Sequence, residues 1–278
     1  YGLYVQQHGT AGNGGCRMKN DRLKSILGIP YFLFLVIFVV CPVLILLYYA
    51  FTNGAGEFSL ANFTLFFTDS KAIGTLIYSV MVAVVTTIVC LLIAYPVAYL
   101  LAKGEFRRGN VLLMLFVMPM WINFTLRITA LKEILTLIEG NLAFHPFLNT
   151  VIGMTYDFLP FMILPIYNTI AKIDHSYIEA AKDLGAKSYR VFLRVILPLS
   201  IPGIISGITM VFLPSMTNYV VLDMMYNSTY IMGSLVGSYF SMYDWNNGSV
   251  ISMILLILIL LLSTITGEFS DKEDNAYE

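Results

Sequence analysis

Chemistry-bearing side chains are scarce in this sequence of 278 residues: charged residues make up 12%, with three histidines and three cysteines. His8, His145 and His175 stand far apart, and no H-E-x-x-H or other paired metal-ligand spacing occurs. Cys16, Cys41 and Cys90 form no C-x-x-C, and the last two sit in apolar runs, where a thiol serves as a small filler. No G-x-x-x-x-G-K-[ST] is present, so ATP hydrolysis is not expected on this chain. No nucleophile, base and orienting acid assemble into one constellation, which argues against a membrane protease or lipid-modifying enzyme. A net charge of −1 without a basic patch offers nucleic acid no footprint.

What fills the chain is apolar. At 58% hydrophobic it reads as an all-α integral membrane protein. A hydrocarbon core of about 30 Å needs roughly 20 apolar residues per helix. Six such runs occur, over 27–51, 72–101, 109–131, 148–171, 198–221 and 249–266. Thirteen of the 16 basic residues fall on one side of that arrangement. They are Arg17, Lys19, Arg22 and Lys24 before the first span, Lys103, Arg107 and Arg108 between the second and third, Lys172, Lys182, Lys187, Arg190 and Arg194 between the fourth and fifth, and Lys272 in the tail. Positive charge stays cytoplasmic, so both termini and the 4–5 loop are expected there. The Gly-rich opening, residues 1–17, lacks periodicity and reads as a non-native or upstream leader ahead of Met18. The acidic tail, 267–278, is expected to be disordered.

Prolines and close-packing glycines concentrate in spans two to five: Pro96, Pro119, Pro160, Pro165, and Gly203-x-x-x-Gly207, whose partner helix sequence leaves open. Several broken helices suit a moving bundle better than an inert anchor. The 4–5 loop carries the most informative segment, Glu179-Ala180-Ala181-Lys182-Asp183-Leu184-Gly185, with Leu197-Pro198 after it. Ser176-x-x-Glu179 fits a capping box that starts a helix near Tyr177. Gly185 supplies a left-handed stop, leaving Ala180 and Ala181 exposed for close contact. The stretch from Lys187 to Leu197 then sets Arg190 and Arg194 one turn apart, well placed for lipid phosphates.

The order E-A-A, three residues, G, nine residues, an aliphatic, one residue, L-P resembles the EAA loop of ABC importer permeases, with Val195 where isoleucine is more usual. Ala94-Tyr95-Pro96-Val97-Ala98-Tyr99, Met118-Pro119-Met120-Trp121-Ile122-Asn123-Phe124-Thr125-Leu126-Arg127, Leu159-Pro160-Phe161-Met162 and Leu213-Pro214-Ser215-Met216 look like the spermidine/putrescine permease family, first permease subunit. The likeness covers about 26 to 266, within a transmembrane domain at 18–266. It implies a type I ABC importer permease (MetI-like) fold: six transmembrane helices and a cytoplasmic EAA coupling helix. It also implies a second permease subunit, ABC ATPase subunits holding ATP and magnesium, and an extracytoplasmic polyamine-binding protein. Ser176, Glu179, Ala180, Ala181, Gly185, Leu197 and Pro198 are the residues expected to couple to the ATPase.

A polyamine route needs carboxylates or aromatic faces. Asp157 and Asp223, read near the outer ends of spans four and five, are candidates, with Trp121 and Tyr219 as the aromatic ones. Asp157 has the blander alternative of pairing with Arg127. Two other classes stand beside the importer subunit. An ion-coupled secondary transporter would show inverted repeats and midplane ionisable residues, neither evident here. An ABC permease for another small solute would share everything but the pathway residues.

Overall fold

The computed structural model describes residues 30–104, 109–225 and 228–274; the leader expected at 1–17 lies outside them. The described chain is helical, with no strand beyond a single bridge between Thr52 and Phe58. In chain order, α1 spans Pro30–Ala50, α2 Ala61–Thr68 and α3 Ser70–Lys103. Then come α4, Gly109–Val117, prolonged by a 3₁₀ turn at Met118–Trp121; α5, Phe124–Glu139; and α6, Pro146–Lys172. The short α7 covers His175–Asp183, α8 Ser188–Leu199, α9 Ile201–Thr217 and α10 Tyr219–Met224. Finally α11 covers Met232–Ser241 and α12 Trp245–Asp274. Helix thus continues to Asp274, through most of the acidic segment expected to be disordered, because extending an established helix costs far less than nucleating one.

Four helices, α1, α3, α6 and α12, are long and apolar enough to cross a membrane, and two bent pairs bring the number to six. The third span differs most from expectation. Rather than one helix over 109–131, the chain bends by 100° between the segments Val111–Trp121 and Phe124–Glu139. Pro119 tightens the end of α4 into a 3₁₀ turn, and Ile122 is extended (φ −80°, ψ 143°). Asn123 then caps a new helix, its Oδ1 accepting from Thr125 N–H at 2.9 Å. The fifth span also breaks, with 62° between α8 and α9 at Ser200, and again at Asn218, where α10 begins. By contrast α3 and α6 run unbroken through Pro96 and through Pro160 and Pro165. Prolines alone therefore do not locate the breaks; at each break an Asn or Ser follows a proline-bearing turn, yet Asn168 follows Pro165 in α6 without one.

The core is the mutual packing of α3, α6 and α9. Toward α6 the buried residues of α3 include the small Cys90, Ala94 and Ala98, so the bulkier Met154, Met162, Ile163 and Ile166 of α6 can seat against it. Gly203 and Gly207 settle which helix their pattern faces. A Cβ on Gly203 would lie 2.8 Å from Pro165 O, and one on Gly207 2.6 Å from Met162 Sδ. The close approach is within this chain, between α9 and α6. Gly203→Leu should cost about 1–3 kcal/mol or more, because a backbone carbonyl cannot step aside. A clear drop in the detergent-solubilised melting temperature would show it; Gly74→Leu, in open space, is the control expected to melt as wild type.

At the periphery α1 packs mainly on α12. Asn246 Nδ2 donates to Tyr49 O at 3.0 Å and to Thr52 O at 2.6 Å, fastening the two helices at one end.

Candidate coupling and pathway sites

The coupling segment begins where α6 ends. Ile173 is extended, and Asp174 rather than Ser176 caps α7: its Oδ1 accepts from Ser176 N–H at 2.9 Å. The capping box read from Ser176-x-x-Glu179 is therefore not formed. Asp is as good a cap as Ser, and two residues earlier it meets the extended backbone a cap requires. The hydrogen bond from the Ser176 amide holds the Asp174 carboxyl below the usual carboxylate range. Glu179 is left exposed.

Gly185 ends the helix as expected. Its φ is +81°, its N–H donates to Lys182 O at 2.8 Å, and Ala186 N–H donates to Ala181 O at 3.1 Å. These two bonds are a complete Schellman stop. Ile178 is buried beneath the helix, and Ala181 is half-buried against the same core. Ala180 is exposed, so only one of the two alanines faces outward; the other packs on its own chain. Leu184, 89% exposed, stands at the tip. Leu197 and Pro198 are half-buried in the last turn of α8.

Three contacts outside the EAA segment brace it. Lys103 Nζ, at the end of α3, donates to Ile173 O at 2.6 Å, on the joint between α6 and α7. Tyr95 and Ser200 share a hydrogen bond of 2.9 Å. Since Ser200 Oγ donates to Leu197 O, the Tyr95 hydroxyl is the donor. Phe192 meets the rings of Tyr95 and Tyr99 edge-on, with centroids 5.7 and 5.3 Å away. These contacts tie the joint before α7, and α8 with its end at Ser200, to α3. In the sequence only the Ala94–Tyr99 run points to this brace: Lys103 stands out solely as one of the basic residues between spans two and three, and Phe192 and Ser200 carry no local signal.

The pathway candidates separate into two groups. Trp121, at the bend of the third span, is 86% exposed, and Tyr219 and Asp223 on α10 are exposed as well. Asp157 is not at the outer end of its span. It lies well inside α6, 4% exposed, with Oδ1 2.5 Å from Nη2 of Arg127, itself 8% exposed. The blander reading of Asp157 is the one the structure bears out. The pair ties α5 to α6 just past the bend, while Arg127 Nε and Nη1 have no acceptor among the described residues. Beside it α10 packs on α5 and α6, where Gly153 makes room for Val221. No group of three potential metal ligands occurs among the described residues.

Residues 94–270 match the family of binding-protein-dependent transport system inner membrane components. The chain belongs to that family. It is accordingly a multi-pass component of a membrane transport system rather than an enzyme. It is 35% identical to the spermidine/putrescine transport system permease protein PotB of Haemophilus influenzae, over 88% of this chain and 93% of the relative. It is 34% identical to the PotB protein of Escherichia coli K12, over 74% and 80%. Among solved structures, a bacterial alginate ABC transporter in complex with its alginate pentasaccharide-bound periplasmic protein superposes with a TM-score of 0.74 at 11% identity, covering 94% of this chain and 98% of that one. An inward-facing MetNI methionine ABC transporter gives 0.54 at 17% identity, covering 74% and 99%. At such identities the structures establish the ABC importer permease fold alone.

Proposed function

We propose that this chain is one of two permease subunits forming the translocation pathway of an ATP-driven importer of polyamines, spermidine and putrescine. One observation carries the importer half: a short helix with a complete Schellman stop at Gly185, braced on α3 and lying on the side richest in lysine and arginine. The polyamine half is supported by the names of the PotB relatives, similar over most of their length. In this reading both termini and α7 face the cytoplasm, and α7 docks on an ATPase subunit that holds ATP and magnesium. An extracytoplasmic polyamine-binding protein delivers the substrate to the opposite face.

Glu179, Ala180 and the Gly185 stop form the docking surface, supported from beneath by Ala181, Leu197 and Pro198. Asp223, Trp121 and Tyr219 are the pathway candidates, because their exposed carboxylate and rings can receive an ammonium group. Asp157 holds the pathway's frame instead. Asp223→Asn keeps the shape and removes the charge, so uptake of labelled spermidine at limiting concentration should fall about tenfold at equal assembled complex. Unchanged uptake would remove Asp223 from the route, whereas import of a neutral sugar or an anion in place of polyamines would overturn the substrate class.

A further inference from the structure

Between the end of α7 and α8 lies a groove of about 300 Å³, closed at one end by Leu184 and Gly185 of the docking stop and open toward α8 at the other. Ala181, Ala186, Val191 and Val195 contribute an apolar floor, and Arg190 and Arg194 stand on its rim. Both arginines are exposed, and no carboxylate lies within 4 Å of either guanidinium among the described residues. Arg190 Nε donates to Tyr189 OH at 3.1 Å, which turns the guanidinium along the helix surface. Tyr189 and Leu193 are exposed beside them, an aromatic and an aliphatic residue as found at a membrane interface.

The bend translates into a depth once α9 is set along the bilayer normal with its start at the edge of the hydrocarbon. With α9 along the bilayer normal and α8 inclined 62° to it, each residue of α8 adds roughly 0.7 Å of height. Arg194 then sits roughly 5 Å, and Arg190 roughly 8 Å, below the start of α9. The headgroup layer is roughly 5–8 Å thick on each side of the hydrocarbon. Two unpaired guanidiniums at phosphate depth, over an apolar floor, match a phosphodiester with its acyl chain attached.

We propose that this groove binds the headgroup phosphate of an anionic phospholipid, Arg190 and Arg194 gripping the phosphate while the glycerol and upper acyl chain lie on the Val191–Val195 floor. The lipid then steadies α8, and through the Ala181 and Ala186 contacts the end of the coupling helix. The proposal concerns lipid, not substrate, so it stands apart from the polyamine reading.

The test uses the complete complex, wild type and R190Q/R194Q, in phosphatidylcholine vesicles with increasing phosphatidylglycerol. Each arginine near a membrane surface is worth about a fivefold change in anionic-lipid affinity. The double variant should therefore bind phosphatidylglycerol about 25-fold more weakly, read as loss of retained lipid in native mass spectrometry. Its ATP hydrolysis should match wild type in pure phosphatidylcholine and lack the wild-type rise with phosphatidylglycerol. Equal loss of hydrolysis in both vesicle types would mean that the arginines engage the ATPase, and would overturn the proposal. So would unchanged lipid retention, or a rise reproduced in phosphatidylcholine by inorganic phosphate alone.

Discussion

Gly185→Val should nearly abolish uptake and transport-coupled ATP hydrolysis while leaving the amount of membrane-inserted chain unchanged. The position has φ +81° and open space around the added Cβ, so the substitution introduces no clash and acts only through the backbone. A β-branched residue in the left-handed region is a conformational outlier, disfavoured by at least about 1–2 kcal/mol. Part of that strain would be relieved by unwinding the stop, which releases the Lys182 and Ala181 carbonyls and frees Leu184 to move. In the proposed docking on the ATPase a misplaced tip cannot seat, so a fall of tenfold or more in coupled hydrolysis is expected. Gly185→Asn tolerates the same backbone and should stay near wild type. Equal activities for the Val and Asn variants would mean the stop is not part of the coupling.

The second large effect belongs to the clasp between α5 and α6. Arg127→Met alone leaves a buried carboxylate without its counter-ion, and Asp157→Leu alone leaves a buried guanidinium with no acceptor at all. Breaking a buried pair from one side costs about 3–5 kcal/mol. Each single variant should therefore melt far below wild type or fail to accumulate. The double variant Arg127→Met with Asp157→Leu should recover much of the loss, since apolar replacement of a whole pair is often close to neutral. Failure of the double variant to regain stability beyond either single one would show that the two side chains contribute separately rather than as a pair.

The legible parts of this chain were those written locally. The apolar runs and the Gly185 stop each depend on residues close together in sequence. The bend of the third span was partly legible: Pro119 was noticed, but the break needs Asn123 as a cap, and an Asn inside an apolar run does not announce that it will cap. The start of α7 was misplaced for a related reason. Asp174 and Ser176 are both good caps, and what decides between them is where α6 stops, which Lys103 helps to fix from 70 residues away. The facing of Gly203 and Gly207 and the pairing of Arg127 with Asp157 are tertiary facts; a glycine pair or an isolated charge in a span names no partner. Asp157 lies deeper than its sequence position suggests, because α6 starts at Pro146 and holds it about two fifths of the way along.

ATP-driven uptake into proteoliposomes tests the central claim most directly. The vesicles would carry this chain with its second permease and ATPase, with the binding protein and labelled spermidine supplied on the extracytoplasmic face. The expected result is accumulation that requires ATP, the binding protein and both permeases, and that is lost in Gly185→Val but kept in Gly185→Asn. Spermidine accumulation by this chain alone, driven by an ion gradient and indifferent to ATP, would contradict it.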